Sequence, residues 1–160
     1  MSRMEVGEVY EASTGALQAA KGPRLGLRRA IGEFEEALAA SSPGGTAEWA
    51  SRLAPVLEHL RTVWAVHIEV TEGQGGLYEE IMENTPRLAN LIDRFTREHA
   101  AIAGELDTAL GRLAEAGGDG SGAEELRDHL VRLFADLVRH RKRGLDLVYE
   151  AYHVDIGGES

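Results

Sequence analysis

The fold class of this 160-residue chain follows from residues 86–113, PRLANLIDRFTREHAAIAGELDTALGRL. Thr85 can cap a helix here, and Pro86 suits its first turn because the missing N–H group would have no helical partner there. We predict a helix from residue 86 to about residue 115, ended by the glycine-rich residues 117–122. The apolar side chains recur at intervals of three and four, which places them on one helix face: Leu88, Leu91, Ile92, Phe95, Ile102, Leu106, Leu110 and Leu113.

Three further helices are predicted from the same spacing of apolar residues. The first spans about residues 24–40, and the second begins at Thr46, which can cap it. The last begins at a capping box formed by Ser121–Glu124 and ends at Gly157–Gly158. Pro55 is expected to kink the second helix or to mark its effective start. Short loops rich in glycine, proline and serine join these helices.

Four amphipathic helices without a strand pattern predict an all-α fold, an antiparallel up-down four-helix bundle. Residues 1–22 have weak periodicity and are expected to form an N-terminal arm or short helix. Residues 23–156 would form the bundle, and residues 157–160 would form a tail.

Composition narrows the classes of partner and site. Seventeen Lys and Arg against 27 Asp and Glu give a net charge of −10, which argues against nucleic acid or an anionic membrane as partner. Because the chain has no cysteine, any metal must be held by imidazole and carboxylate groups. No stretch approaches the roughly 18 apolar residues of a membrane span, and the N-terminus lacks the apolar core of a signal peptide. We therefore expect a cytoplasmic protein.

Three histidines continue the apolar stripes of three different helices. His67 follows the stripe of the second helix, His99 that of the third, and His140 that of the fourth. A polar side chain in an apolar core costs about 1–3 kcal/mol unless it is paired. Three such residues on facing helices therefore indicate a shared site. His59 and His129 are expected to lie outside it.

Carboxylates could complete the site. Glu72 follows His67 by five positions, whereas Glu98 adjoins His99 and should point about 100° away from it on a regular helix. Imidazole with carboxylate and no sulfur suits iron, manganese or zinc. Gly144, one turn after His140, would leave room for a metal or a small ligand, or would allow two helices to approach closely. The basic run 139–143 is expected to be a solvated helix edge.

The order of these residues resembles the hemerythrin-like, or HHE cation-binding, domain family over about residues 24–156. The most specific part is the hairpin from His67 to His99. The resemblance lies in His67 with Glu72 before Leu77–Tyr78, in Pro86–Ala89 leading to Glu98–His99, and in His140 ahead of Leu147–Glu150.

The chain departs from the family pattern at three positions. The first helix has no histidine, the spacing from His67 to Glu72 is five instead of four, and Gly144 stands where the family places a carboxylate. The resemblance then implies four metal ligands: His67, Glu72, His99 and His140. The last helix would add a carboxylate, Glu150 or Asp146, only if that helix is distorted.

The resemblance implies a bundle that holds a non-haem, usually di-iron, centre. Members of the family bind dioxygen, sense oxygen or redox state, handle peroxide or nitric oxide, or store iron. For this chain we expect one or two iron ions that bind dioxygen or another small redox ligand, or that sense redox state. A peroxide-handling activity shares the same site, and no hydrolase or transferase motif occurs.

The alternative is a metal-free helical bundle that serves as a structural or protein-interaction module. In that case the histidines would hydrogen-bond to Glu72, to tyrosine or to backbone groups. The missing histidine of the first helix and the glycine at position 144 favour this alternative.

Overall fold

A computed structural model describes residues 15–153, and this part of the chain is helical without a strand. Each of the four long helices, α2, α3, α5 and α6, packs against two of the others, so that they surround a common core. The all-α prediction is confirmed, and the up-down order of the bundle stays a prediction. The helices are α1 (Gly15–Ala19), α2 (Lys21–Ala39), α3 (Thr46–Glu72), α4 (Leu77–Asn84), a 3₁₀ turn (Pro86–Leu88), α5 (Ala89–Asp119) and α6 (Ala123–Tyr152).

Two apolar clusters fill the interior, and two of the three histidines, His99 and His140, lie between them along their helices. The larger cluster is formed by the four long helices and includes Ile102 of α5 and Leu137 of α6. The smaller cluster includes Phe95 of α5 and Leu147 of α6, together with the buried face of α4. On both α5 and α6 a buried histidine therefore separates the two clusters along the helix.

None of the predicted caps makes a side-chain hydrogen bond, and glycines precede two of the three helices. Gly45 precedes α3, which begins at Thr46, and Thr85 makes no side-chain cap hydrogen bond. Before α6, Gly120 and Gly122 adopt positive φ angles of 76° and 71°, a conformation that glycine tolerates without strain. These two residues make the turn, so the capping box of Ser121 does not form.

Pro55 lies inside α3 and does not mark its start. Its side chain is exposed, whereas Leu53 and Leu57 on either side are fully buried. The ring removes one backbone N–H group on the solvent side of the helix, where water can satisfy the carbonyl group that loses its partner. A proline on this face is compatible with a continuous helix.

The chain between α3 and α5 contains the helix α4, which the periodicity did not predict. At eight residues it is too short to show a clear repeat, yet Leu77, Tyr78 and Ile81 are buried against the smaller cluster. Within the predicted N-terminal arm, α1 is helical and α2 begins at Lys21. Residues 1–14 of the arm and residues 154–160, with the predicted tail, lie outside the described residues.

None of the helices over residues 15–153 combines the length and the apolar character that crossing a membrane requires.

Candidate metal centre

The three histidines that follow the apolar stripes meet inside the bundle. The Nε2 atom of His140 lies 3.1 Å from Nε2 of His99 and 3.3 Å from Nε2 of His67. One ligand atom from each ring lies within 4.8 Å of the other two, so that the three histidines could hold one metal ion. When all histidines and carboxylates of residues 15–153 are considered, these three histidines form the group whose spacing could hold a metal ion.

Two carboxylates orient two of these rings by contacting their Nδ1 atoms. The Nδ1 atom of His99 lies 2.5 Å from Oε2 of Glu72, and Nδ1 of His140 lies 2.6 Å from Oε1 of Glu98. A carboxylate can only accept, so each Nδ1 carries the proton and donates it. Both Nε2 atoms are then unprotonated in the neutral rings. Arg143 pairs with Oε2 of Glu98 at 2.5 Å and holds that carboxylate in place.

Burial keeps the three imidazoles neutral. His99 and His140 are almost inaccessible to solvent. Desolvation, followed by the charge of His140, lowers the pKa of His67 to about 3. Desolvation, followed by the charges of the two other histidines, lowers the pKa of His99 to about 2. The pKa of His140 is also lowered by burial, although the hydrogen bond to Glu98 opposes that shift. Neutral imidazole is the form that binds a metal ion.

Aromatic and hydroxyl side chains surround the rings. The indole of Trp64 lies 5.0 Å from the ring of His67 between centroids, and its Nε1 donates to the backbone oxygen of His99 at 3.1 Å. The Tyr78 ring stacks on His99, with its hydroxyl 3.4 Å from Nε2 of that histidine. Desolvation, as the main cause, raises the pKa of Tyr78, so the phenol stays protonated at neutral pH.

A cavity of about 60 Å³ opens beside the histidines and is lined by His67, His140 and Gly144. A Cβ atom added at Gly144 would find no neighbouring atom within 4 Å. Gly144 is therefore not required for close helix packing, and it leaves open space beside the site. Of the two roles considered for this glycine, the structure supports the one that leaves room.

Arg24 and Arg141 line the same cavity. Burial, followed by the charges of Arg28 and Arg24, lowers the pKa of Arg141. The basic run 139–143 is therefore not entirely a solvated helix edge, because Arg141 faces the interior and Arg143 pairs with Glu98.

The structure brings together most of the predicted site. His67, His99 and His140 converge, and Glu72 reaches the group through Nδ1 of His99. It does not bring Glu150 there: this residue is half exposed and pairs with Arg87 at 2.8 Å. The other carboxylate considered in the last helix, Asp146, is exposed.

Sequence reasoning missed Glu98 as a site residue. Its predicted direction, away from His99, agrees with the structure, but that direction leads to His140 on α6. The signal that could have found it was the basic residue at position 143, one turn from His140 on the neighbouring helix. His59 and His153 are exposed, and His129 is not part of the group, as expected for His59 and His129.

No known family, curated protein or solved structure matches this chain. A function therefore has to be inferred from the geometry of the three histidines.

The lowered histidine pKa values predict that the metal-free protein loses stability in mild acid. The unfolded chain takes up protons near pH 6.5, whereas the folded chain does not bind them at His67 and His99 until about pH 3 and about pH 2. Stability is therefore full above pH 6.5 and falls below it, by up to about 1.4 kcal/mol per pH unit for each imidazole.

Urea unfolding in chelator at pH 7.5, 6.5 and 5.5 measures this slope. Burial raises the pKa of Glu72, so protonation of that carboxyl group in the folded protein opposes the loss of stability at the acid end. Replacing His67 by Gln should flatten the pH dependence, and replacing the exposed His59 by Gln should leave it unchanged. Equal slopes in the two variants would contradict the burial of neutral imidazoles.

Proposed function

We propose that His67, His99 and His140 bind one metal ion through their Nε2 atoms, and that this ion is a non-haem iron that binds dioxygen or another small redox ligand. In this proposal the chain is a hemerythrin-like up-down bundle whose iron site is mononuclear.

The observation that carries the proposal is the contact between two Nε2 atoms at 3.1 Å, those of His99 and His140. Because both rings donate from Nδ1 to carboxylates, both Nε2 atoms present lone pairs to each other. Two facing acceptors repel unless a cation lies between them. Burial disfavours a proton in that position, since it lowers the pKa of both histidines. A metal ion meets the same need.

Two of the three nitrogen–nitrogen separations fit one ion. Metal–nitrogen bonds are about 2.1 Å long, so two nitrogens on adjacent positions of one metal lie about 3.0–3.4 Å apart. The two shortest Nε2 separations, 3.1 and 3.3 Å, fall in this range. A carboxylate on the far nitrogen of a metal-binding histidine is a common arrangement that fixes the ring and raises its basicity.

A mononuclear site is favoured over a di-iron site by the position of the carboxylates. Glu72 and Glu98 are engaged at Nδ1 atoms, on the side of each ring that faces away from the other imidazoles. They are therefore available as orienting groups and not as bridges between two ions. The three imidazoles of His67, His99 and His140 would then be the protein ligands of one ion.

The surroundings suit a site that takes an external ligand. Three protein ligands leave coordination positions open, and a bound iron would supply reversible electron transfer to a small ligand there. The Tyr78 hydroxyl can donate a hydrogen bond beside the site, and the cavity next to His67 and His140 provides space. The two apolar clusters on either side limit the entry of water.

A metal-free bundle is the second candidate, and two contacts favour it. If His67 carries its proton on Nε2, it can donate to Nε2 of His140 at 3.3 Å, while the Tyr78 hydroxyl donates to Nε2 of His99 at 3.4 Å. The Nε2 atoms of His99 and His140 would then each have a donor. Both contacts are longer than those to the carboxylates, and this makes them the weaker explanation.

Metal analysis and an absorption spectrum test the proposal. Protein purified without chelator should contain about one iron per chain, and the ferrous protein should change its spectrum when it is exposed to dioxygen. Zinc in place of iron would retain the metal site and contradict its redox function, since zinc has no redox chemistry. Absence of metal, also after loading with ferrous iron, would contradict the site itself. Turnover of peroxide would distinguish an enzyme from a binding protein.

A further inference from the structure

An arginine side chain shares the cavity with two of the three histidines. Arg141 follows His140 in α6, and the two residues both line this space with His67. The Nε and Nη2 atoms of Arg141 are buried and have no hydrogen-bond partner among the described residues. Buried guanidinium donors without an acceptor are costly, so a ligand that accepts from them would be stabilised.

Three arginines lie at or near this cavity in an otherwise acidic chain. Arg24 lines the cavity as well, and Arg28 is near enough for its charge to act on Arg141. The whole chain has a net charge of −10, so three neighbouring arginines are unusual in it. A guanidinium group binds planar oxyanions in a bidentate manner, which makes a carboxylate or a similar anion the natural acceptor.

Size and lining limit the anion to a few atoms. The cavity has a volume of about 60 Å³, and one water molecule needs about 10–15 Å³. About four to six water-sized groups therefore fit. Most of the remaining lining is apolar, including Leu27, Leu147 and Val148. An anion with one planar oxyanion group and at most a short apolar part suits both features.

We propose that this cavity binds a small planar monovalent oxyanion, of the size of nitrate or acetate, through the guanidinium group of Arg141. The bound anion lies beside His67 and His140. A further step rests on the proposed metal site: a cation held by His67 and His140, which line the same cavity, would raise the affinity for the anion by its charge.

The test titrates chelator-treated, full-length protein with acetate at constant ionic strength and follows the acetate signal by NMR. We expect saturable binding with a Kd of about 0.1–10 mM, the range open to a ligand of about four atoms. Nitrate should displace the acetate, and acetamide, which has the same shape without the charge, should not. Failure of wild-type protein to bind acetate, or equal binding of acetamide, would overturn the proposal.

Two variants and a matched control locate the site. Arg141→Gln should weaken acetate binding at least about tenfold by removing the fork of donors. Gly144→Leu should weaken it similarly by filling the cavity. Arg139→Gln, on the same helix and exposed in a pair with Asp136, should leave it unchanged. Wild-type affinity in both cavity variants would place the acetate elsewhere and overturn the proposal.

A second pair of measurements separates this proposal from the metal site. Arg141→Gln should still bind metal, whereas a His99→Ala protein should lack metal and still bind acetate. If metal is absent from wild-type protein and acetate still binds through Arg141, the anion site stands alone. If metal is present and acetate does not bind more tightly in the metal-loaded protein, the link between the two sites is overturned.

Discussion

Purified His99→Ala protein is expected to contain no stoichiometric metal, with an affinity for iron at least about 100-fold below that of wild-type protein. Loss of an outer partner of a metal-binding histidine alone costs 10–100-fold in affinity. His99 supplies one of three nitrogens and also the contact to Glu72, so its removal should cost more. Metal content by mass spectrometry and competition with a chromogenic chelator measure the effect.

The matched control for this change is His59→Ala. His59 lies on α3, the helix that also positions His67, but its side chain is exposed and outside the group of three histidines. This variant should retain the wild-type metal content. Because alanine at position 99 leaves a void in the core, a His99→Gln variant of similar volume and a circular dichroism spectrum check that the fold is intact. A folded variant at position 99 with full metal content would disprove the proposed ligand set.

Removal of the metal is expected to lower the melting temperature by about 5–16 °C. A ligand that binds only the folded state at 100 to 1,000 times its Kd stabilises the protein by about 2.7–4.1 kcal/mol. For a chain of this length, about 2–4 °C of melting temperature corresponds to each kcal/mol. The measurement compares metal-loaded and chelated protein at pH 7.5, where the histidines are neutral in both the folded and the unfolded states.

Two controls make the thermal experiment specific. Adding iron back to chelated wild-type protein should restore the higher melting temperature, and the His99→Ala variant should melt at the same temperature with and without metal. Equal melting of loaded and chelated wild-type protein would favour the metal-free bundle, in which His67 and Tyr78 supply the hydrogen bonds to the other two rings.

The helices and the three histidines were predictable because both depend on local periodicity. Phe95, His99 and Ile102 occupy one face of α5 by their spacing alone, and all three are buried in the structure. The same holds for Leu137 and His140 on α6. Helix boundaries were less predictable, since glycine conformations at positions 120 and 122 took the place of the expected capping box.

The carboxylates show where local pattern stops being sufficient. Glu98 and Glu150 each share a helix with one of the three histidines. Glu150 nevertheless pairs with Arg87 at the surface, whereas Glu98 pairs with His140. Their partners belong to other helices, and the choice depends on how α5 and α6 are rotated and offset against each other. No spacing within one helix records that rotation.

For this protein, the amino-acid sequence was sufficient to establish an all-α fold with three histidines on the inward faces of its helices, because helix formation and burial follow from spacing along the chain. The meeting of three Nε2 atoms, the two carboxylates behind them and the entry of Arg141 into the adjoining cavity came from the packing of separate helices. Contacts between helices depend on distances in space, which the order of residues along one helix does not contain.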